Sequence, residues 1–220
     1  MIHGIDVSGW NEETYSTSGA DFVFVKATEG RSYINPKQGR QAAVARTAGL
    51  VLGFYHFLVS GNIAAQAAYF VEKCASLPGD MLVCDWETPA GGGKPATNAE
   101  KDAFIREVKR LRPGHKVGLY CNLDYWKNHD RTAYAGDFLW IADPGHPAGK
   151  PNIKAKWLFH QFGTLQRVDQ NVADFATRAL LRTWCGYPTT TAPAPHATSY
   201  DTGQDKRIGQ LESRVGKLED

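Results

Sequence analysis

The chain has 220 residues, of which 42% are hydrophobic and 22% charged, and its formal net charge is +2. These values exclude a disordered or fibrous chain and lack the basic excess that would make a nucleic acid the default partner. The longest mostly apolar run, residues 50–59, reaches about half the ~20 residues a membrane-spanning helix needs and contains His56, so no membrane insertion is expected.

In chain order, the opening MIHGIDVSGW has no basic region followed by a long apolar one, which predicts synthesis in a cytoplasm without a signal peptide. Strand-like runs follow at HGIDVS, FVFVKAT, LVLGFYHFLV, MLVCDWE and KVGLYC, separated by connections long enough for crossover helices. The clearest of these helices are NIAAQAAYFVEKCASL, stopped by Pro78 and Gly79, and TNAEKDAFIREVKRLR, capped by Thr97 or Asn98 and stopped by Pro113. Five βα units fit this pattern. After Cys121 the runs FLWIAD, KWLFHQF and RVDQNVADF read as three more strands with short or irregular connectors, the last two joined by a hairpin turn at Gly163 and Thr164. The expected fold is therefore α/β, a modified (β/α)5β3 TIM-like barrel.

The main folded domain is expected over residues 1–186. A Pro, Thr and Ala rich linker over 187–203 comes next. In the tail, 204–220, Ile208, Leu211, Val215 and Leu218 take coiled-coil spacing over less than two heptads. That tail is either a weak self-association stub or a plain amphipathic end. Cys74, Cys84, Cys121 and Cys185 lie far apart without a CxxC pair, which favours buried free thiols.

A barrel of this kind builds its site at the C-terminal ends of the strands, and acids fall there: Asp6, Glu29, Asp85, Glu87 and Asp169. Residues two apart on a strand share a face, so Asp85 and Glu87 project together, with Cα atoms about 6–7 Å apart. Such a pair suits glycoside hydrolysis, one carboxyl protonated to serve the leaving oxygen and the other ionised beside the oxocarbenium-like centre. A D-x-E step alone is as readily a helix cap or a surface ion pair. The convergence of further acids on one rim is what favours chemistry. No HExxH and no cluster of His and Cys occurs, so neither metal nor cofactor is expected. GGGKP at 91–95 lacks the first glycine and the final Ser/Thr of a phosphate loop and reads as a loop near the site. KRLRPGHK at 109–116 reads as a solvated helix end.

GIDVSGW, FVFVKATEG followed by SYINP, AGLVLGFYHF, CDWE, VGLYCN, LWIAD and VDQNVAD occur in an order that resembles the glycoside hydrolase family 25 lysozymes, the Chalaropsis-type N-acetylmuramidases, over residues 3 to about 182. The resemblance implies a flattened barrel of five βα units and three further strands. It also implies cleavage of the β-1,4 bond between N-acetylmuramic acid and N-acetylglucosamine in bacterial peptidoglycan glycan strands, with net retention. In it Glu87 corresponds to the general acid/base, Asp85 to the electrostatic stabiliser, and Asp6 and Asp169 to the other rim acids. The nucleophile is left open between a carboxylate and the substrate's acetamido group. Glu29, Tyr55, Tyr120 and Trp140 either line the sugar groove or pack in the core. His56 alternates with Tyr55, so only one of them faces the barrel interior. Asn11 and Pro144 depart from the family pattern, where glutamine and an aromatic residue often stand. A phage endolysin reaching the wall after release is the implied setting. A non-catalytic wall-binding module and a virion-associated structural lysin are the alternatives.

Overall fold

Eight strands whose residues alternate between inside and outside close into a barrel in the computed structural model, which describes residues 1–89 and 93–188. The strands in chain order are β1 (Ile2–Val7), β2 (Phe22–Glu29), the two-residue edge strand β3 (Tyr33–Ile34), β4 (Val51–Phe57), β5 (Met81–Asp85), β6 (Lys116–Asn122), β7 (Leu139–Ala142), β8 (Phe159–Leu165) and β9 (Val168–Ala173). Around the barrel they run β1-β2-β4-β5-β6-β7-β8-β9, and β9 closes the ring by pairing antiparallel with both β8 and β1. The other neighbouring pairs in the ring are parallel. This is the α/β barrel class that the alternation of elements predicts.

Helices α1 (Gln38–Thr47), α2 (Ile63–Lys73) and α3 (Asn98–Leu111) cross over outside the wall, a short π-helical turn (Tyr125–His129) follows β6, and α4 (Arg178–Cys185) comes last. The first crossover, residues 8–21, holds turns rather than a helix, as its content of Gly, Ser and Thr suits. At α3, Thr97 accepts from the Glu100 amide while the Glu100 side chain returns to the Thr97 amide, a complete capping box.

Two apolar layers follow from the alternation. Ile2, Phe22, Phe24, Val51, Met81, Val83, Phe138, Trp140 and Phe159 fill the interior, while Val23, Val25, Leu52, Phe54, Leu82, Leu119 and Ile141 face out and pack with Phe70, Phe104 and Val108 of the helices. Gly4 and Gly53 sit on the inner face where a Cβ would collide with the rings of Phe22 and Phe24, so the small residue makes room for the large one beside it. His56 is the outward member of its pair with Tyr55. It is buried between Thr28, 2.7 Å from its Nδ1, and Gln66, 3.2 Å from its Nε2, and desolvation pushes its pKa down to about 3.

The hairpin departs from expectation. Its turn lies at Gln166 and Arg167, both with positive φ (50° and 66°), and the ladder shifts register near Gly163. A two-residue loop with left-handed backbone at both positions matches the strand twist, so turn geometry prevailed over the glycine signal, and Gly163 marks the bulge instead. The four cysteines are free and buried. Of the basic residues at the end of α3, Lys109 pairs with Asp137 and Arg110 with Glu107. No helix among the described residues is long and apolar enough to cross a membrane. The linker beyond Pro188, the tail at 204–220, and Gly91 and Gly92 of the GGGKP stretch lie outside the described residues.

Helix α4 and Tyr187 cover the N-terminal end of the barrel. Leu181 and Cys185 join the interior layer, Arg178 bonds Asp21 at 3.0 Å, and the Tyr187 ring lies against Gly79 and under the Arg182 guanidinium, 4.2 Å away. The Tyr187 hydroxyl accepts from the Leu52 amide at 3.0 Å and donates to buried Asp80 at 2.8 Å. Asp80 also receives Arg46 at 2.6 Å and the Leu77 amide at 2.6 Å. Tyr187→Phe leaves the ring in place but strands the Leu52 amide and takes one donor from Asp80 Oδ1, which keeps Arg46, a cost of about 1–3 kcal/mol. Thermal unfolding should show a midpoint lowered by several degrees. An unchanged midpoint would mean that these two bonds contribute nothing.

Candidate active site

Parallel strands deliver their last inward residues to one rim, and here those residues are polar. Asp6, Tyr55, Asp85, Glu87, Tyr120, Trp140, Gln161 and Asp169 line a cavity of about 120 Å³ at that end of the barrel. Seven of the eight residues that the sequence singles out meet there. Glu29 does not line the cavity. A bulge between Lys26 and Thr28 turns both Ala27 and Thr28 to the outer face and returns Glu29 to the inner side, where it takes the Lys26 ammonium at 2.7 Å and remains 41% exposed.

Because β9 runs against β1, Asp169 lies directly across from Asp6 in the ladder. One Asp6 oxygen accepts from Gln161 Nε2 at 2.8 Å and from Asn171 Nδ2 at 2.7 Å. Even so, burial, followed by the charge of Asp169, pushes the Asp6 pKa up to about 7. Asp169 itself accepts from Thr164 Oγ1 at 2.5 Å.

Asp85 is buried at the end of β5, and its Oδ1 has no protein hydrogen-bond partner. Desolvation, then the neighbouring Glu87 charge, drives its pKa well up. Glu87 is raised as well, mainly by desolvation, while Lys26 and a hydrogen bond from Asn122 hold it down. Two acids this close cannot both ionise cheaply, so the pair keeps one shared proton to a pH well above that of an isolated carboxyl. Burial holds the Tyr55 and Tyr120 phenols neutral, and the Tyr120 hydroxyl donates to Gln161 Oε1 at 3.0 Å. Trp140 is 2% exposed, stacks on Phe24 at 4.2 Å and donates its Nε1 hydrogen to Asn171 at 2.7 Å. It is more a wall of the cavity than an open platform.

Sequence reading passed over Lys26, Gln161, Asn171 and Asn122. Asn171 was findable, since it stands two residues from Asp169 on the same face of one strand. Lys26 was hidden by the apolar run FVFVKAT, in which a single inward lysine looks like an error of phase. Asn11, one of the two departures, serves the structure. Its Oδ1 accepts from the Ser8 amide at 2.8 Å and its Nδ2 donates to the Arg167 carbonyl at 2.8 Å, which ties the loop after β1 to the hairpin. No group of three or more His, Cys, Asp or Glu able to hold a metal ion is found among the described residues.

The family model for glycosyl hydrolases family 25 matches residues 5–170. An N,O-diacetylmuramidase of Chalaropsis sp is 39% identical over 146 residues, covering 58% of this chain and 69% of that protein. An autolytic lysozyme of Clostridium acetobutylicum is 28% identical over 166 residues, covering 73% of this chain. The chain spans about half of that lysozyme's length, 50%. Among solved structures, a muramidase from Acremonium alcalophilum superposes with a TM-score of 0.73 at 25% identity, covering 84% of this chain and 99% of that one.

Asp6 supplies a stability test. An acid whose pKa is higher folded than unfolded binds its proton more tightly in the fold, so stability is full below about pH 4 and declines as pH rises toward the folded value of about 7. Asp6→Asn keeps an oxygen for the two amides and removes the ionisation. Its melting temperature should exceed the wild-type value at pH 8, and the gap should close toward pH 4. A gap independent of pH would show that Asp6 is not the titrating group.

Proposed function

The chain belongs to glycosyl hydrolases family 25, and we propose that it is a peptidoglycan hydrolase that cuts the β-1,4 bond from N-acetylmuramic acid to N-acetylglucosamine with net retention. The observation that carries this reading is the Asp85 and Glu87 pair, both lining one cavity with two further acids and both raised in pKa by desolvation. Without substrate, one proton stays with the pair. When positive charge develops on the sugar ring over Asp85, ionising that buried carboxyl becomes favourable. The proton then belongs on Glu87, which passes it to the leaving oxygen.

Asp85 is thus the electrostatic stabiliser, Glu87 the acid and afterwards the base that activates water, and Asp6 with Asp169 the flank that orients the substrate. Tyr55 and Tyr120 present neutral hydroxyls to the same space. The muramidase name of the Chalaropsis relative supports the choice of bond.

Glu87→Gln should fold normally and lose at least about a hundredfold in turnover. With wild-type protein, peptidoglycan digests reduced by borohydride should yield muramitol. Glucosaminitol instead would make the protein a glucosaminidase, and no new reducing ends would make it a binding module.

Activity should fall at high pH as the shared proton is lost and at low pH as the whole pair protonates. Lys26 is the cation that favours the ionised forms, so Lys26→Met raises the pair's pKa. The alkaline limb of the profile for kcat/KM should move to higher pH in that variant, and an unmoved limb would show that Lys26 does not act on the pair.

A further inference from the structure

Strands β1 and β9 carry Asp6 and Asp169 inward, and the residues next to these acids form a second cavity on the outer side. Ile5, Val168 and Gln170 are its floor, the loop after β1 is one wall, and the tip of the β8–β9 hairpin is the other; its volume is about 380 Å³. Trp10 stands at its edge and is 98% exposed. Tryptophan carries the largest apolar surface of any side chain and is rarely left bare, so a fully open indole on the catalytic rim invites an occupant. Exposed Leu165 and the Tyr15 ring add apolar surface, and hydroxyls, amides and two single charges, Glu12 and Arg167, complete the lining. An aromatic face interleaved with hydroxyls, amides and one charge of each sign suits a sugar ring, which offers an apolar face and a polar rim, better than a lipid or an apolar helix.

Position points to the same ligand. Trp10 follows Asp6 by four residues, so their Cα atoms are at most about 14 Å apart. Arg167 is two residues from Asp169, and Asn11 holds the two walls together through the Arg167 carbonyl. A polymer lying in the acid cavity and leaving it between β1 and the hairpin passes over this edge.

We propose that the cavity under Trp10 is an outlying binding site for further sugar units of the glycan strand whose bond lies in the acid cavity, with the indole as stacking platform. The proposal rests on the glycan-hydrolase reading above for its ligand and adds a preference for long strands that the acid cavity alone does not supply.

The test compares Trp10→Ala with the full wild-type chain on peptide-free glycan strands and on the shortest fragment that wild type cuts. The bare indole packs on little, so melting should be unchanged. On long strands kcat/KM should drop roughly three- to tenfold, through KM rather than kcat. On the short fragment it should not change, and Trp10→Phe should restore most of the loss. Equal activity of Trp10→Ala and wild type on long strands would overturn the proposal. So would an equal loss on both substrates, which would put Trp10 in the arrangement of the acid cavity itself. Binding separates this from the reading beneath it. Long strands that sediment with Glu87→Gln protein, and several-fold less with the Trp10→Ala, Glu87→Gln double variant, support the site even if wild type cuts neither substrate. Equal sedimentation with both would overturn it.

Discussion

Four carboxyl groups line one cavity, and the burial that pushes three of them, Asp6, Asp85 and Glu87, toward their neutral forms is the constraint around which the barrel is built. Each would relax if water entered or if the strands parted. The walls prevent both. Trp140 is locked by Phe24 on one side and Asn171 on the other, Phe159 packs edge-on against Phe22, Phe24 and Phe138, and the β9 ladder holds Asp169 against Asp6. Compensation within the cavity is sparing: two amides on Asp6, one on Glu87, and a lysine that is itself partly neutralised by Glu29. The result is a site that holds protons a carboxylate would ordinarily surrender, at some cost in stability.

Most of this was legible in the chain. Runs such as FVFVKAT and MLVCD have the length and β-branched content of buried strands, and acids at their ends marked the rim. What escaped depended on geometry that a linear pattern does not carry. The bulge at Ala27 reverses the phase of β2, so no rule of alternation could tell that Glu29 would return inward to meet Lys26 and stay out of the cavity. Gly163 looked like a turn because glycine is the commonest way to reach positive φ, yet Gln166 and Arg167 adopt it. The first connection was long enough for a helix and lacks one. Length permits a crossover helix but does not demand it.

The reversal at β9 sets its acid apart from the others. Parallel strands present the residue at their end to the rim, whereas an antiparallel strand presents the one at its beginning. Asp169 therefore stands near the start of its strand while Asp6 and Asp85 stand near the ends of theirs. The same reversal lets one short hairpin serve two surfaces, with Asp169 on its inner face and Val168 and Gln170 on its outer one.

The cysteines bear on where such a fold can operate. All four are buried and unpaired, and burial pushes their thiols up, Cys74 and Cys185 to about 12. The thiolate is the form that attacks disulfides and meets oxidants, and at neutral pH these side chains scarcely supply it. Among the described residues no disulfide contributes to the packing, so the stability of the barrel does not depend on an oxidising compartment.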